Sequence, residues 1–158
     1  MNTVIVFYSL EGNTRYAAKA LAKSLQADML ELKPQKPYPT GDASKYVAGG
    51  FAASIGAKPK LLPYTFSADD YDLIVLGSPV WNSHVTPPLN TFLSEHSLAG
   101  KKVAAFACHS GGGPEKLFIA LENKVGSLAA RAGFVDPAVH TEEAEPALAQ
   151  FAETLKSL

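Results

Sequence analysis

The sequence predicts an α/β protein built on a doubly wound parallel sheet. Five apolar runs alternate with five segments of helical periodicity along 158 residues, the order typical of repeated βαβ units. The runs at residues 4–8, 72–77 and 103–107 lack polar alternation, as strands covered by helices on both faces do. With 47% hydrophobic and 18% charged residues, the composition fits a single soluble globular domain spanning residues 1–158.

The first elements are the most regular. Residues 4–8 are β-branched and aromatic and predict the first strand, which ends at Ser9. Over residues 13–25 the apolar positions recur every three or four residues, which predicts an amphipathic helix. A short second strand is expected at residues 28–32.

Residues 33–66 form the least regular part of the chain. Three prolines interrupt it early, and a helix capped by Asp42 or Ser44 is expected to run to about Gly56, weakened by Gly49 and Gly50. Long connections often carry function. An ordinary crossover and a wall of a ligand site are both open for this stretch.

The second half is expected to contain three strands, each followed by a helix. In chain order these elements are a strand at 72–77, a helix at 87–96, a strand at 103–107, a helix at 114–132, a strand at 134–139 and a helix from about 143. In such a sheet, ligands bind beyond the carboxyl ends of the strands. The loops after the first, third and fourth strands are therefore the candidate site.

The first loop is suited to an anion. A helix start carries unpaired N–H groups and a favourable dipole, so it can bind phosphate without a cationic side chain. The loop supplies two hydroxyls, an amide and a glycine, although a plain capped turn would read similarly. Its candidate residues are Ser9, Leu10, Glu11, Gly12, Asn13 and Thr14.

The run Tyr8-Ser9-Leu10-Glu11-Gly12-Asn13-Thr14 resembles the phosphate loop of the flavodoxin family, which holds the FMN phosphate. Glu11 departs from the family, which commonly has Ser or Thr there. An acid at this position removes a hydroxyl donor and adds a like charge near the phosphate, unless its side chain turns to solvent. The resemblance implies FMN as the cofactor.

The second loop resembles the flavodoxin segment that runs along the isoalloxazine ring. It holds the only tryptophan, Trp81, whose face suits a flat, electron-poor ring system, although a partly buried core tryptophan is the alternative. The run from Pro87 to Leu93 also resembles a subgroup of short flavodoxin-like proteins. The residues implied in binding are Ser78, Pro79, Val80, Trp81 and Asn82.

The third loop is glycine-rich, and flavodoxins use the corresponding loop to read the pyrimidine edge of the flavin. His109 is a candidate hydrogen-bond partner, with an exposed imidazole as the alternative. Cys108 is expected to be a small buried residue, because no second cysteine exists to resolve a redox thiol. The loop's candidate residues are Cys108, His109, Ser110, Gly111, Gly112 and Gly113.

The resemblance covers nearly the whole chain and implies a three-layer α/β/α sandwich with strand order 2-1-3-4-5. It further implies electron transfer with a redox partner protein or a small electron acceptor. An FMN-dependent NAD(P)H:quinone or nitro-compound oxidoreductase of the same fold is the alternative, with a pocket beside Tyr38, His84 and His109. A flavin-free binding module is a third hypothesis, supported only by Glu11.

Composition and motifs exclude several other classes. A formal net charge of -1 argues against nucleic-acid binding by phosphate neutralisation. One cysteine excludes an intrachain disulfide, and without a signal sequence or a long apolar run we expect a cytoplasmic protein that does not enter membranes. Neither a hydrolase elbow, a dinucleotide fingerprint nor a P-loop occurs, and the four histidines lack metal-site spacing.

Overall fold

The fold is a five-stranded parallel sheet between helices. A computed structural model describes residues 1–40 and 42–158, without the side chains of residues 42–46. The strand order β2-β1-β3-β4-β5 confirms the predicted doubly wound topology. The strands are β1 (Thr3–Phe7), β2 (Asp28–Glu31), β3 (Leu73–Pro79), β4 (Lys102–His109) and β5 (Arg131–Val135). The helices are α1 (Asn13–Leu25), α2 (Asp42–Ser54), α3 (Pro87–Glu95), α4 (Glu115–Val125) and α5 (Thr141–Lys156).

Two apolar layers hold the helices on the sheet. Because successive strand residues point to opposite faces, Ile5 and Phe7 of β1 pack with α1 and α5, whereas Val4 and Val6 pack with α3 and α4. All four side chains are buried. The unbroken apolar runs of the sequence thus correspond to strands covered on both faces, as predicted.

The prediction for the α4–β5 region is wrong in its boundaries. The helix expected to reach residue 132 ends at Val125, because Gly126 adopts a φ of 96° and its N–H bonds to the Glu122 carbonyl. The strand expected at 134–139 is Arg131–Val135. Asp136, with a φ of 37°, turns the chain out of the sheet.

Strands β3 and β4 also extend two residues beyond the predicted strands at 72–77 and 103–107. Ser78 pairs with Ala107 and Pro79 with Cys108, so the ladder continues into the segments expected to be loops. Proline, which has no N–H, is tolerated there because the next residue supplies the donor: the Val80 N–H bonds to the Cys108 carbonyl and continues the hydrogen bonding between β3 and β4. Several candidate residues therefore lie on strand ends, which hold them more firmly than loops would.

The connection between β2 and β3 has a short antiparallel bridge at its base. The Gln35 N–H bonds to the Lys60 carbonyl at 2.8 Å and the Leu62 N–H to the Lys33 carbonyl at 2.7 Å. Helix α2 lies between these two arms and ends at Ser54, two residues before the predicted end. The capping predicted for Asp42 or Ser44 falls outside the described side chains.

Within the described residues, none of the helices is both long and apolar enough to cross a bilayer.

Candidate functional site

A cavity of about 580 Å³ opens at the carboxyl edge of the sheet. All three predicted loop regions contribute to it, because the carboxyl ends of β1, β3 and β4 are neighbours. The candidate residues that line it are Ser9, Leu10, Glu11, Asn13, Thr14, Pro79, Val80, Trp81, Asn82, Cys108, His109 and Ser110.

The remaining candidates lie outside the lining. Ser78 is buried, and its Oγ donates to the Pro79 carbonyl at 2.7 Å and lies 3.2 Å from Thr86 Oγ1. Gly12 precedes α1 with a φ of 104° and shapes the turn into the helix. The three glycines 111–113 are exposed.

The lining also includes residues that sequence reasoning missed. Gly50, Phe51 and Ser54 come from α2, so the connection at residues 33–66 does form a wall of the cavity. Their spacing of one and four positions places them on one side of a helix, but only packing fixes which side faces the cavity. Asp136 was missed because the last strand was predicted to run through it.

Hydrogen bonds fix the turn into α1. Ser9 Oγ accepts from the N–H groups of Gly12 at 3.2 Å and Arg15 at 3.1 Å. Asn13 Oδ1 accepts from the Ala138 N–H at 3.0 Å, which ties the turn to the segment after β5. The N–H groups of Asn13 and Thr14 lie in the first turn, where no helical carbonyl is available to them. The turn is therefore held by hydrogen bonds and places two residues with unpaired backbone donors, Asn13 and Thr14, at the cavity.

Neither lysine nor arginine appears among the described residues that line the cavity, whereas the carboxylates of Glu11 and Asp136 do. Among these described lining residues, an anion would be bound by backbone N–H groups and the dipole of α1. The anion site expected from the first loop stays a prediction.

Trp81 forms an aromatic wall that its neighbours hold in place. Its ring packs edge to face with Tyr8, at a centroid distance of 5.4 Å and 89°, and with Tyr38, at 5.3 Å and 81°. Gly49 of α2 lies so close that an added Cβ would be 3.0 Å from the indole Cε3 and Cζ3. The half-buried indole is therefore packed on several sides while still lining the cavity.

The loop that carries Trp81 is a tight turn. The His84 N–H bonds to the Trp81 carbonyl at 3.0 Å, and Asn82 and Ser83 have φ values of 50° and 62°. Asn82 Nδ2 donates to Ser54 Oγ at 2.6 Å, which joins this turn to α2. Two walls of the cavity are thus linked directly.

The end of β4 presents a buried thiol and an unpartnered imidazole nitrogen. Burial raises the pKa of the Cys108 thiol to about 12, against a smaller lowering from its hydrogen bond with Thr14. His109 Nδ1 is buried and has no hydrogen-bond partner among the described residues. Ser110 Oγ donates to Asp136 Oδ1 at 3.1 Å, and the Asp136 N–H bonds to the His109 carbonyl at 2.9 Å.

No group of three or more His, Cys, Asp or Glu residues in the described part of the chain could hold a metal ion.

Comparison with known proteins gives the family. A family model described as Flavodoxin matches residues 2–153. No curated protein matches the chain.

Solved structures share the fold at low sequence identity. A candidate flavoprotein of Bacteroides uniformis is 22% identical, with a TM-score of 0.77 over 96% of this chain and 97% of its own. A flavoprotein of Lactobacillus acidophilus, solved in complex with FMN, is 20% identical, with a TM-score of 0.74 over 89% and 97%. Oxidised Flavodoxin 1 of Bacillus cereus is 17% identical, with a TM-score of 0.59 over 100% and 99%. Because the family model matches almost the entire sequence, the chain belongs to the flavodoxin family.

Proposed function

We propose that the cavity binds FMN and that the protein, a single domain acting in the cytoplasm, transfers electrons. The observation that carries this proposal is one cavity that combines a helix start with a flat aromatic wall. Its volume of about 580 Å³ lies within the range of roughly 300–1,000 Å³ typical of cofactor sites. Membership of the flavodoxin family and the FMN complex of the Lactobacillus acidophilus flavoprotein support it.

The phosphate would lie at the start of α1. Ser9 Oγ and Asn13 Oδ1 already accept protein N–H groups, so they stabilise the turn and leave the backbone N–H groups of the first turn as donors. Glu11 is exposed at the cavity edge, where it adds like charge.

The ring system would lie between the Trp81 wall and the end of β4. Trp81 supplies a large apolar face whose position is held by Tyr8, Tyr38 and Gly49. His109 Nδ1 is a buried polar atom without a described partner, and a polar ligand edge would satisfy it. The fit of the residues to FMN thus rests on both an apolar and a polar feature.

FMN, when bound, supplies the redox chemistry by accepting and releasing one or two electrons. The residues of this chain would position the FMN, exclude water from one face of its ring system and set the charge around it. The carboxylate of Asp136 lines the cavity and opposes the arrival of further negative charge. This carboxylate is therefore expected to lower the reduction potential of the bound flavin.

Comparing FMN with riboflavin tests the proposal, because the two ligands differ only in the phosphate. Charged hydrogen bonds contribute about 1.5–3 kcal/mol each, so we expect FMN to bind the apoprotein at least about 100-fold more tightly. Quenching of flavin fluorescence measures both affinities. Equal affinities would refute the phosphate position, and no binding of either flavin would refute the cofactor.

An electron carrier and the reductase alternative differ in their reductant: the carrier is reduced by a separate reductase, whereas the enzyme reacts directly with NAD(P)H. Of Tyr38, His84 and His109, which the alternative places beside a substrate pocket, only His109 lines the cavity. We expect the FMN-loaded protein to oxidise NAD(P)H negligibly with a quinone present, and to do so rapidly once a separate flavodoxin reductase is added. Rapid oxidation without that reductase would favour the enzyme.

A further inference from the structure

Positive charge is concentrated in the connection between β2 and β3. Residues 33–66 contain five lysines and one aspartate, a net charge of +4, so the rest of the chain carries -5 of the total of -1. Four of these lysines have described side chains; all four are exposed, and none pairs with a described acid. We call them the lysine patch: Lys33, Lys36, Lys58 and Lys60.

The backbone brings the lysine patch together at the cavity edge of the sheet. Residues 33–36 leave the carboxyl end of β2, and the antiparallel bridge pairs them with residues 58–62. Lys36 lies two residues before Tyr38, whose ring packs on Trp81. The patch is therefore adjacent to a wall of the proposed FMN cavity.

Exposed apolar side chains lie at the end of helix α2 and directly after it, between the two arms of the bridge. Phe51 is 65% exposed and Ile55, four positions later, is 62% exposed. Phe51 also lines the cavity, so the apolar surface continues into it. An apolar centre beside a charged rim is the usual anatomy of a transient protein interface.

We infer that the lysine patch, with Phe51 and Ile55, is the docking surface for an acidic redox protein. The inference rests on the proposed function, because the partner must approach the cavity to exchange electrons. Opposite charges steer encounter and fix orientation, and four unpaired lysines favour an acidic face. Phe51, which lines the cavity, then provides an apolar contact at its edge.

The opposite side of the cavity carries the reverse charge. Glu142 and Glu143 begin α5, close to Asp136, with Val139 exposed beside them. Val139 does not line the cavity, whereas Phe51 does. An acidic partner would also be repelled from the α5 side, so the polarity of the rim selects one orientation.

Stopped-flow electron transfer from the reduced, FMN-loaded protein tests the inference. The acceptors are cytochrome b5, an acidic haem protein, and cytochrome c, a basic one. The test variant is Lys58→Glu with Lys60→Glu. The matched control is Lys19→Glu with Lys23→Glu, an identical charge change at exposed positions of α1. Ile55→Ser removes apolar contact without touching the cavity lining.

We expect the rate with cytochrome b5 to fall as ionic strength rises, and Lys58→Glu/Lys60→Glu to lower it about tenfold at low salt. This difference should vanish near 1 M salt, where the screening length is about 3 Å. The α1 control should stay within about twofold of the unchanged protein. Ile55→Ser should slow transfer a few-fold even at high salt.

Several results would overturn the inference. Equal slowing by both double variants would mean that only net charge matters. A preference for cytochrome c that is lost in Glu142→Lys/Glu143→Lys would place docking at α5. Lysine-dependent sedimentation with phosphatidylserine vesicles, without any lysine effect on cytochrome b5, would indicate a membrane surface. Bound-FMN absorbance is recorded for every variant, so that failure of the proposed function itself is recognised separately.

Discussion

Adjacent glycines in α2 give a controlled test of how firmly the Trp81 wall is held. Replacing a glycine by alanine inside a helix stabilises the folded state by about 1 kcal/mol. Among the described side chains, a Cβ added at Gly50 would meet Asn82 Cβ, at 3.7 Å, which is an ordinary contact. Gly50→Ala should therefore gain most of that amount.

At Gly49 the same methyl group meets the indole. Its Cβ would be 3.0 Å from Trp81 Cε3 and Cζ3 and 3.3 Å from Cδ2. The indole cannot retreat freely, because the rings of Tyr8 and Tyr38 pack against it. Overpacking costs about 1–3 kcal/mol, so it outweighs the helix gain. We expect Gly49→Ala to be about 2 kcal/mol less stable than Gly50→Ala.

Urea unfolding of the two apoproteins, followed by far-UV circular dichroism, measures this difference. Trp81 is the only tryptophan, so its fluorescence reports the wall directly. Gly49→Ala should shift the emission maximum, whereas Gly50→Ala should leave it almost unchanged. Equal stabilities together with identical emission spectra would refute the reasoning, because the indole would then move at no cost.

Three further predictions concern the sheet and its carboxyl edge. Gly77→Ala should destabilise the fold by about 3 kcal/mol or more in urea unfolding, because its Cβ would lie 2.4 Å from Phe106 Cζ; near-neutral stability would contradict the close packing. Ser9→Ala should cost about 1 kcal/mol by removing the acceptor of two N–H groups at the start of α1, and Ser9→Thr should cost less. The Cys108 thiol should resist labelling at pH 8, because burial raises its pKa to about 12; labelling at the rate of unfolded protein would show that it is accessible. Since the folded thiol keeps its proton above the ordinary value of 9.0, its contribution to stability is complete below pH 9 and is lost as pH rises toward 12.

Local signals were sufficient for the order of elements. Unbroken apolar runs such as residues 4–8 predict strands covered on both faces, and the spacing in residues 13–25 predicts a helix with one apolar side. Boundaries were less accurate. Gly126 ends α4, but the residues beyond it also suit a helix, and only pairing of Arg131 with Ala105 identifies them as a strand.

The place of the cavity at the sheet edge also followed from the sequence, because the carboxyl ends of parallel strands meet at one edge. Which side chains face the cavity did not. Ser78 turns into the protein toward Thr86. Phe51 reaches the cavity from α2, in the stretch whose role the sequence left open, and Asp136 reaches it from a turn that was predicted to be a strand.

Element type and order are determined by neighbours in the sequence, through hydrophobic periodicity and turn residues, and this chain carried those signals clearly. The path of residues 33–66 could not be predicted from the sequence and is determined by tertiary contacts. It depends on Lys33 meeting Leu62 in the short bridge and on Gly49 fitting against Trp81. Such contacts join residues that are distant in the chain, so no local pattern records them. The same contacts set the lysines beside the cavity, and with them the direction from which we propose that a partner approaches.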